Sequence, residues 1–375
     1  MKLSQIKIIP IIDSIRMLNI SDKEYFGDSY SNYISNSRLN LLKEEYNGSP
    51  DKFFQGLKLN TQYSDSLLFG SAIHELVLQP ESFFIVPNVD RPTAKAGMMA
   101  DELYRPDGKI PTYESIKKAS EKIDYYKSSM NTAKAEELKQ KCKEYWKARS
   151  EFEQSNTENK EPIYLADKDK VKLNSCLEAL NKDSNIQKLL HPKGITEDPI
   201  YGYERTFLMD VRIEAPDNEP FILHLKSKLD NFIIDKENNT IIVNDLKTTG
   251  RYISDFEGAI NRFSYNREMA MYSWLLCLYA KKEYNIQSPI IKSNFLVVET
   301  IPNYYTKVFP MTKSLFKNGI KEFSHLLKLA AFYCCKGNGF EEFKSEEFMD
   351  LVNNEFNEGC RQTRTFDVQT IKSII

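Results

Sequence analysis

Cysteine is scarce in this chain: six among 375 residues, at positions 142, 176, 277, 334, 335 and 360, with no C-x-x-C pair. That spacing excludes a disulfide scaffold and argues against a zinc ribbon, so a reducing, cytoplasmic setting is the expectation. Long apolar runs are missing too. The longest, Leu326 to Cys335, is about half of the roughly 18 to 20 residues that a membrane span needs, and no membrane partner is expected. Met1 to Leu18 is interrupted by Pro10, Asp13 and Arg16 and has no small-residue cleavage site, so it does not read as a signal peptide. Charge of one sign is absent as well, with 51 basic against 53 acidic residues and a formal net charge of −2. Coating of nucleic acid by bulk electrostatics is thereby excluded, whereas a local basic groove needs only a few placed cations. No internal repeat or low-complexity tract occurs.

Hydrophobic residues make up 41% and aromatic residues 12% of the chain, which allows a sizeable core. The mean hydropathy of −0.50 and 28% charged residues describe a soluble protein. The region up to about Pro87 reads as helices and loops, with Ser35-Asn36-Ser37 as a cap before Arg38 to Tyr46, and Leu67 to Gln79 as a buried helix bearing His74. Asn88 to Ile110 reads as irregular. Residues 113 to 162 mix charges of both signs with scattered aromatics and read as exposed helices, an inserted hairpin. Asp167 to Leu190 is a further helix, with Val171, Leu173, Leu177 and Leu180 on its apolar face.

Strands then take over at Tyr201 to Ile213, Phe221 to Ile234 and Thr240 to Leu246, the last two joined by the turn Asp235 to Asn239. Tyr252 to Lys281 reads as a helix, Asn294 to Val308 as two strands turning near Pro302-Asn303, and Met311 to Lys336 as a final helix. Strands between flanking helices imply one α/β domain over residues 1 to 375, with a helical insertion at about 113 to 162.

The informative constellation is Lys226-Ser227-Lys228-Leu229-Asp230, whose Asp lies fifteen residues before Asp245 of Asp245-Leu246-Lys247. Residues of equal parity on a strand face the same side, so Asp245 and Lys247 project together, and a suitable hairpin register brings Asp230 beside them. Two buried like charges repel, and a divalent cation is the natural way to keep both ionised. Metal-assisted phosphodiester hydrolysis fits such a set, and a salt-bridged, solvated hairpin face is the alternative.

Asp230 followed by Asp245-Leu246-Lys247-Thr248-Thr249 resembles the PD-(D/E)XK nuclease core, with Leu229 where that signature has proline. Gly70-Ser71-Ala72-Ile73-His74 is similar to the G-x-x-x-H helix of the exodeoxyribonuclease VIII and RecB-type branch. Ile34 to Leu39 with Ser49-Pro50-Asp51-Lys52-Phe53 is similar to the N-terminal signature of that branch. Glu299, Pro302 and Gly337-Asn338-Gly339-Phe340 fall where its later strand and tail would lie. The resemblance spans roughly residues 31 to 340, leaving 113 to 162 unmatched.

The resemblance implies a restriction-endonuclease-like core, a central mixed sheet flanked by helices. It implies Mg²⁺, replaceable by Mn²⁺, on His74, Asp230, Asp245 and the main-chain carbonyl of Leu246, with Lys247 orienting or activating water. Glu204 falls at the family's first acidic motif, as a ligand or water-positioning group, or else as a surface residue paired with Arg205 or Arg212. Glu268 and Tyr272 match its Q-x-x-x-Y helix with Glu in place of Gln. An ionised Glu only accepts hydrogen bonds, so pairing with Lys247 or with a metal-bound water is the expected role, and Arg267 is the expected phosphate contact.

Ser35, Ser37 and Arg38 read as a helix cap or as a pocket for a 5′-phosphate. Lys226 and Lys228 read as solvated or as DNA-backbone contacts, and Thr248 and Tyr272 as DNA contacts. Cys334-Cys335 with Cys360 does not supply an iron–sulfur set, and buried free thiols are expected. The implied activity is exonucleolytic digestion of double-stranded DNA from its ends in phage or prophage recombination. A homo-oligomer and a single-strand annealing partner come with it as family expectations. A structure-specific endonuclease and a catalytically inactive DNA-binding protein are the alternatives.

Overall fold

Isoleucine recurs through the segment before Ile20, and in the computed structural model Lys7–Leu18 is a long strand, β1. The structure describes residues 3–43, 45, 48–58, 65–126, 129–191, 199–216 and 218–336. After β1 come helices α1 (Asp22–Tyr25), α2 (Asn36–Leu39), α3 (Pro50–Lys58) and α4 (Asp65–Leu78), then strand β2 (Phe83–Ile85). Helices α5 (Ala94–Leu103), α6 (Tyr113–Ile123) and α7 (Thr132–Ser155) precede strand β3 (Glu161–Ile163) and helices α8 (Asp167–Lys182) and α9 (Ser184–Leu190). Strands β4 (Ile200–Glu214), β5 (Phe221–Asp235) and β6 (Thr240–Thr249) follow. Helices α10 (Phe256–Arg262) and α11 (Tyr265–Tyr284), strands β7 (Ile290–Glu299) and β8 (Thr306–Pro310), and helix α12 (Lys313–Lys336) close the described chain.

Six strands form one mixed sheet in the order β1-β4-β5-β6-β7-β8. All neighbours are antiparallel except β6 and β7, which run parallel and are joined across the sheet by α10 and α11. Alternation gives each strand two faces. Ile241 and Val243 of β6 pack with α11 and α12, whereas Leu246 of β6 and Leu296 and Val298 of β7 pack with α4, α8 and α9. A separate apolar cluster, including Met99, Ile116, Leu138 and Tyr145, holds α5, α6 and α7 together. Arg149 of α7 lies over the rings of Tyr104 and Tyr164 and pairs with Glu153 at 2.8 Å. Among the described residues no helix is long and apolar enough to cross a membrane.

Strands β4 to β8, the Asp235–Asn239 turn, α4 and α12 match the elements expected from sequence. Several elements differ, among them Asp167 to Leu190, which is not one helix but two, α8 and α9, with Asp183 between them accepting from the N–H groups of Asn185 and Ile186. The N-terminal region begins with a strand because its β-branched run pairs with β4, and Pro10 is tolerated since β1 is at the sheet edge. The irregular segment contains α5, held by burial of Met99, Ala100 and Leu103. Tyr252 to Lys281 is not one helix: Ser264, with φ of 55°, turns the chain between α10 and α11. Val171 of α8 is 68% exposed, so the apolar face of that helix is Leu173, Cys176 and Leu180.

Helix α11 is buried along most of its length, and α12 crosses it at Gly319, where an added Cβ would lie 2.1 Å from the Asn266 carbonyl oxygen. Next to that crossing Arg267 is wholly buried. Its guanidinium donates to Asn36 Oδ1 at 2.7 Å, to the Asn40 side chain and to Glu322 Oε1 at 2.9 Å. It therefore ties α11 to α2 and α12. Arg267 is not the expected phosphate contact, because no part of it reaches solvent. Truncating one member of such a pair leaves the others desolvated. Arg267→Ala is expected to lower unfolding free energy by about 3 kcal/mol, read from urea denaturation; a loss below about 1 kcal/mol would contradict this tie.

Candidate metal centre at a split in the sheet

Strands β5 and β6 are paired only over Asn231–Asp235 and Thr240–Asn244. Beyond that pair they part: β5 stays with β4, while β6 continues along β7 as far as Thr249 and Glu299. Two backbone features coincide there. Leu225 and Leu229, and then Phe232 and Ile234, enter the same core cluster, so the alternation of β5 breaks around Asp230. On β4, Glu204 adopts a left-handed φ of 51°, an uncommon state for a residue with a side chain. Asp230 bridges the gap, its Oδ2 accepting from the Leu246 N–H at 2.7 Å. A side chain thus replaces the missing ladder hydrogen bond, and Leu246, the expected carbonyl ligand, sits at this junction.

Groups from both faces of the sheet meet in the split. From α4, His74 Nδ1 lies 3.5 Å from Asp230 Oδ2 and 3.6 Å from Glu204 Oε1. Ligand atoms of these three residues all fall within 4.8 Å of one another. From the α11 side, Lys247 Nζ lies 2.6 Å from Asp245 Oδ2 and 3.3 Å from Glu268 Oε2. Tyr272 donates to Glu268 Oε1 at 3.0 Å, and the Tyr265 ring lies under the Lys247 ammonium at 5.0 Å.

Carboxylates outnumber the cations facing them, and their proton affinities show it. Burial pushes the Asp245 carboxyl up, and Asp230 and Glu268 add to this against Lys247, to about 8. Burial also raises Asp230. Burial alone would lower the His74 imidazole, but Asp230 and then Glu204 outweigh it and hold it up at about 9. Burial likewise opposes charge on Lys247, yet Asp245 and Glu268 raise its pKa well above the usual lysine value, so it is an ammonium. Glu204 stays low despite its burial, because His74 and Lys228 favour its anion.

A divalent cation fits these residues. Both carboxylate oxygens of Asp245 are buried; Lys247 Nζ stands 2.6 Å from Oδ2, and among the described residues Oδ1 accepts no hydrogen bond. Oxygen ligands with one imidazole suit a hard or borderline divalent ion. The described geometry groups His74, Glu204 and Asp230, which favours the ligand reading of Glu204, whereas the expected ligand Asp245 lies outside that group.

Several expected DNA contacts are placed otherwise. Ser35 caps α2, accepting from the Arg38 N–H at 3.3 Å and bonding Ser37 at 2.9 Å, and Arg38 donates to the carbonyls of Ser31 and Tyr33. Ser35 is thus the cap of α2, Ser37 bonds that cap, and Arg38 braces the preceding loop. Lys226 is buried, donating to the carbonyls of Tyr25 and Tyr30 at 2.7 and 3.0 Å, neither solvated nor aimed outward. Burial lowers its pKa to about 8. Lys228 is paired with Asp22 at 2.5 Å and Glu204 at 2.6 Å, which is the partner of Glu204 in place of Arg205 or Arg212. Tyr272 is buried with its hydroxyl on Glu268, so it supports the site from inside. Thr248 has the opposite parity to Lys247 and faces α4, where a Cβ on Gly70 would meet its hydroxyl at an ordinary 3.7 Å.

Cys142, Cys176 and Cys277 are buried free thiols and Cys334 is half-buried. The side chain of Cys335, Cys360 and the run Gly337 to Phe340 lie outside the described residues. Three supporting residues were not anticipated. Tyr265 precedes Glu268 by one helical turn, Asp22 stands in the capping box of Ser21 and Glu24, and Glu75 follows His74. Burial raises Glu75 to about 7, with Asp22 and Glu204 adding to it.

No family model matches the chain, and a search of curated proteins finds no match. Among solved structures, the chain is similar to a protein of Eubacterium rectale named as a proposed exonuclease. The identity is 10%, with 93% of this chain and 95% of that one covered, at a TM-score of 0.42. A likeness at that level does not establish a shared fold.

Metal binding at this centre must displace protons from His74 and Asp245. Both groups lose them as pH rises through about 8 to 9, so apparent affinity is expected to climb over that interval. Mn²⁺ titration calorimetry at several pH values checks this; flat affinity would contradict it. Glu204→Gln is expected to weaken Mn²⁺ binding about tenfold or more, in the same assay.

Proposed function

We propose that the chain is a divalent-metal-dependent deoxyribonuclease with a PD-(D/E)XK-type core, hydrolysing phosphodiester bonds from the ends of double-stranded DNA. Phage or prophage recombination, alongside a single-strand annealing partner and as a homo-oligomer, is the setting that the sequence resemblance suggests. The observation that carries the reading is the cluster of His74, Glu204 and Asp230 ligand atoms within 4.8 Å of one another, beside the buried Asp245–Lys247 pair. Packing alone does not account for that arrangement, since more carboxylates than cations are buried there and such a shortfall of positive charge is costly.

On this reading His74, Glu204 and Asp230 would hold Mg²⁺ or Mn²⁺, with Asp245 and the Leu246 carbonyl as the further ligands that the sequence resemblance suggests. A bound ion would supply Lewis-acid stabilisation of the scissile phosphate. Lys247 is an ammonium, so at its Nζ it donates and does not abstract: it orients the attacking water or a non-bridging phosphate oxygen. Glu268 accepts from Tyr272 Oη and faces Lys247, keeping the ammonium charged and aimed. As an acceptor-only group it does not hold DNA phosphate.

One observation favours an inactive DNA-binding protein instead. Glu268 stands where the nuclease pattern of the sequence resemblance has Gln. Incubation with linear and covalently closed duplex DNA, with Mg²⁺ or EDTA, decides between the readings. Metal-dependent loss of linear DNA alone is expected. Cutting of both forms would indicate an endonuclease, and cutting of neither, with Mn²⁺ also tried, a binding protein. Lys247→Ala and Asp245→Ala are expected to reduce cleavage about a hundredfold or more with the fold intact; an active, folded Lys247→Ala protein would overturn the role given to Lys247.

A further inference from the structure

A row of three asparagines crosses the sheet at the apex of the split. Asn231 and Asn244 are the last partners before β5 and β6 separate, and Asn294 is the partner of Asn244 on β7. Their amides are chained: Asn294 Nδ2 donates to Asn244 Oδ1 at 2.9 Å, and Asn244 Nδ2 donates to Asn231 Oδ1 at 2.7 Å. Asn244 Nδ2 also lies 3.2 Å from the Leu189 carbonyl of α9, and Asn231 Nδ2 reaches the Gly202 carbonyl of β4 at 3.4 Å. The chain of amides therefore links β7, β6, β5 and β4. Asn231 and Asn244 are both essentially inaccessible to solvent.

Asparagine is a poor strand former, and Leu246 and Leu296, on the same face of β6 and β7 as Asn244 and Asn294, show that apolar side chains fit that face. What the amides add is register. Sliding one strand by a residue would turn each amide to the other face and leave buried donors and acceptors unpaired. Asn231 directly follows Asp230, and Asn244 directly precedes Asp245. The point at which the row ends is thus the point that sets the two carboxylates across from each other.

We infer that Asn231, Asn244 and Asn294 form a positioning row that fixes where β5 and β6 part, and so holds Asp230 against β6 without any metal. Its consequence for metal binding rests on the nuclease reading; its structural content does not. The Leu246 N–H, bound by Asp230 Oδ2, reports that content directly. The combined variant Asn231→Val, Asn244→Val, Asn294→Val removes all three amides together, leaving none of them orphaned by another.

The combined variant is expected to melt cooperatively, like the parent. Hydrogen exchange at Leu246 in the metal-free protein should quicken about tenfold or more, and the Mn²⁺ dissociation constant should rise about tenfold or more. A folded variant with parental exchange at Leu246 and parental Mn²⁺ affinity would overturn the inference. Should the combined variant fail to fold, Asn294→Val at the end of the row takes its place, with quicker Leu246 exchange expected and unchanged exchange overturning the inference. A parent protein that neither binds Mn²⁺ nor cuts DNA would remove the nuclease reading, while Leu246 exchange would still decide the role of the row.

Discussion

Several carboxylates drawn together away from water is the constraint on which the centre of this molecule depends. Asp230, Asp245, Glu204 and Glu268 come from three strands and a helix, and none has more than a minor part of its side chain exposed. Such a set is tolerable only if cations approach from more than one direction, because a continuous sheet would screen one face from the other. The parting of β5 and β6 removes that screen. His74 enters from the α4 side and Lys247 stands on the α11 side, and both act on Asp230. Asp230 can serve both because its own strand has broken alternation and its Oδ2 has taken over a backbone hydrogen bond.

The helical layer on the α11 side is tied to this centre through one turn of helix. Arg267 and Glu268 are adjacent, so the buried guanidinium that locks α11 to α2 and α12 also fixes the direction in which Glu268 leaves the helix. Tyr272, one turn on, holds the Glu268 carboxylate, and Tyr265, one turn before, carries the Lys247 ammonium over its ring. The break at Ser264 lets α11 start where it does. Ser264 Oγ donates to Glu322 and accepts from Lys43, so that break is stapled to α12 and to the loop before α3. Packing far from the split thereby governs the position of a charge inside it.

The strands that build the site were legible because each obeys a short-range rule. Apolar runs and a five-residue turn mark β5 and β6, and parity alone places Asp245 and Lys247 on one face. What stayed hidden depends on contacts distant in sequence. Arg267 reads as a surface cation until Asn36 and Glu322 are seen to surround it. Lys226 and Lys228 share a parity on β5, yet one is buried under Tyr25 and the other faces Asp22 and Glu204. Strand β1 was missed because its bulge between Ile11 and Arg16 disrupts alternation, and α5 because a short helix with Gly97 near its start has little intrinsic preference. Glu204 was a candidate, but its left-handed backbone, which turns it toward His74, has no signature in a glutamate.

Glu268 bears on how the proposed chemistry would be tuned. A neutral amide in its place would leave Asp245 as the main anionic partner of Lys247. With Glu268 present, the ammonium has two carboxylates to choose between. A divalent ion drawing on Asp245 would then not strip Lys247 of its counter-charge, since Glu268 remains, held by Tyr272. The added carboxylate also raises the proton affinity of Asp245 in the metal-free state, which weakens metal binding at lower pH. On the nuclease reading, glutamate at this position exchanges a group able to donate a hydrogen bond for one that keeps the lysine charged, and it would make metal binding more dependent on pH.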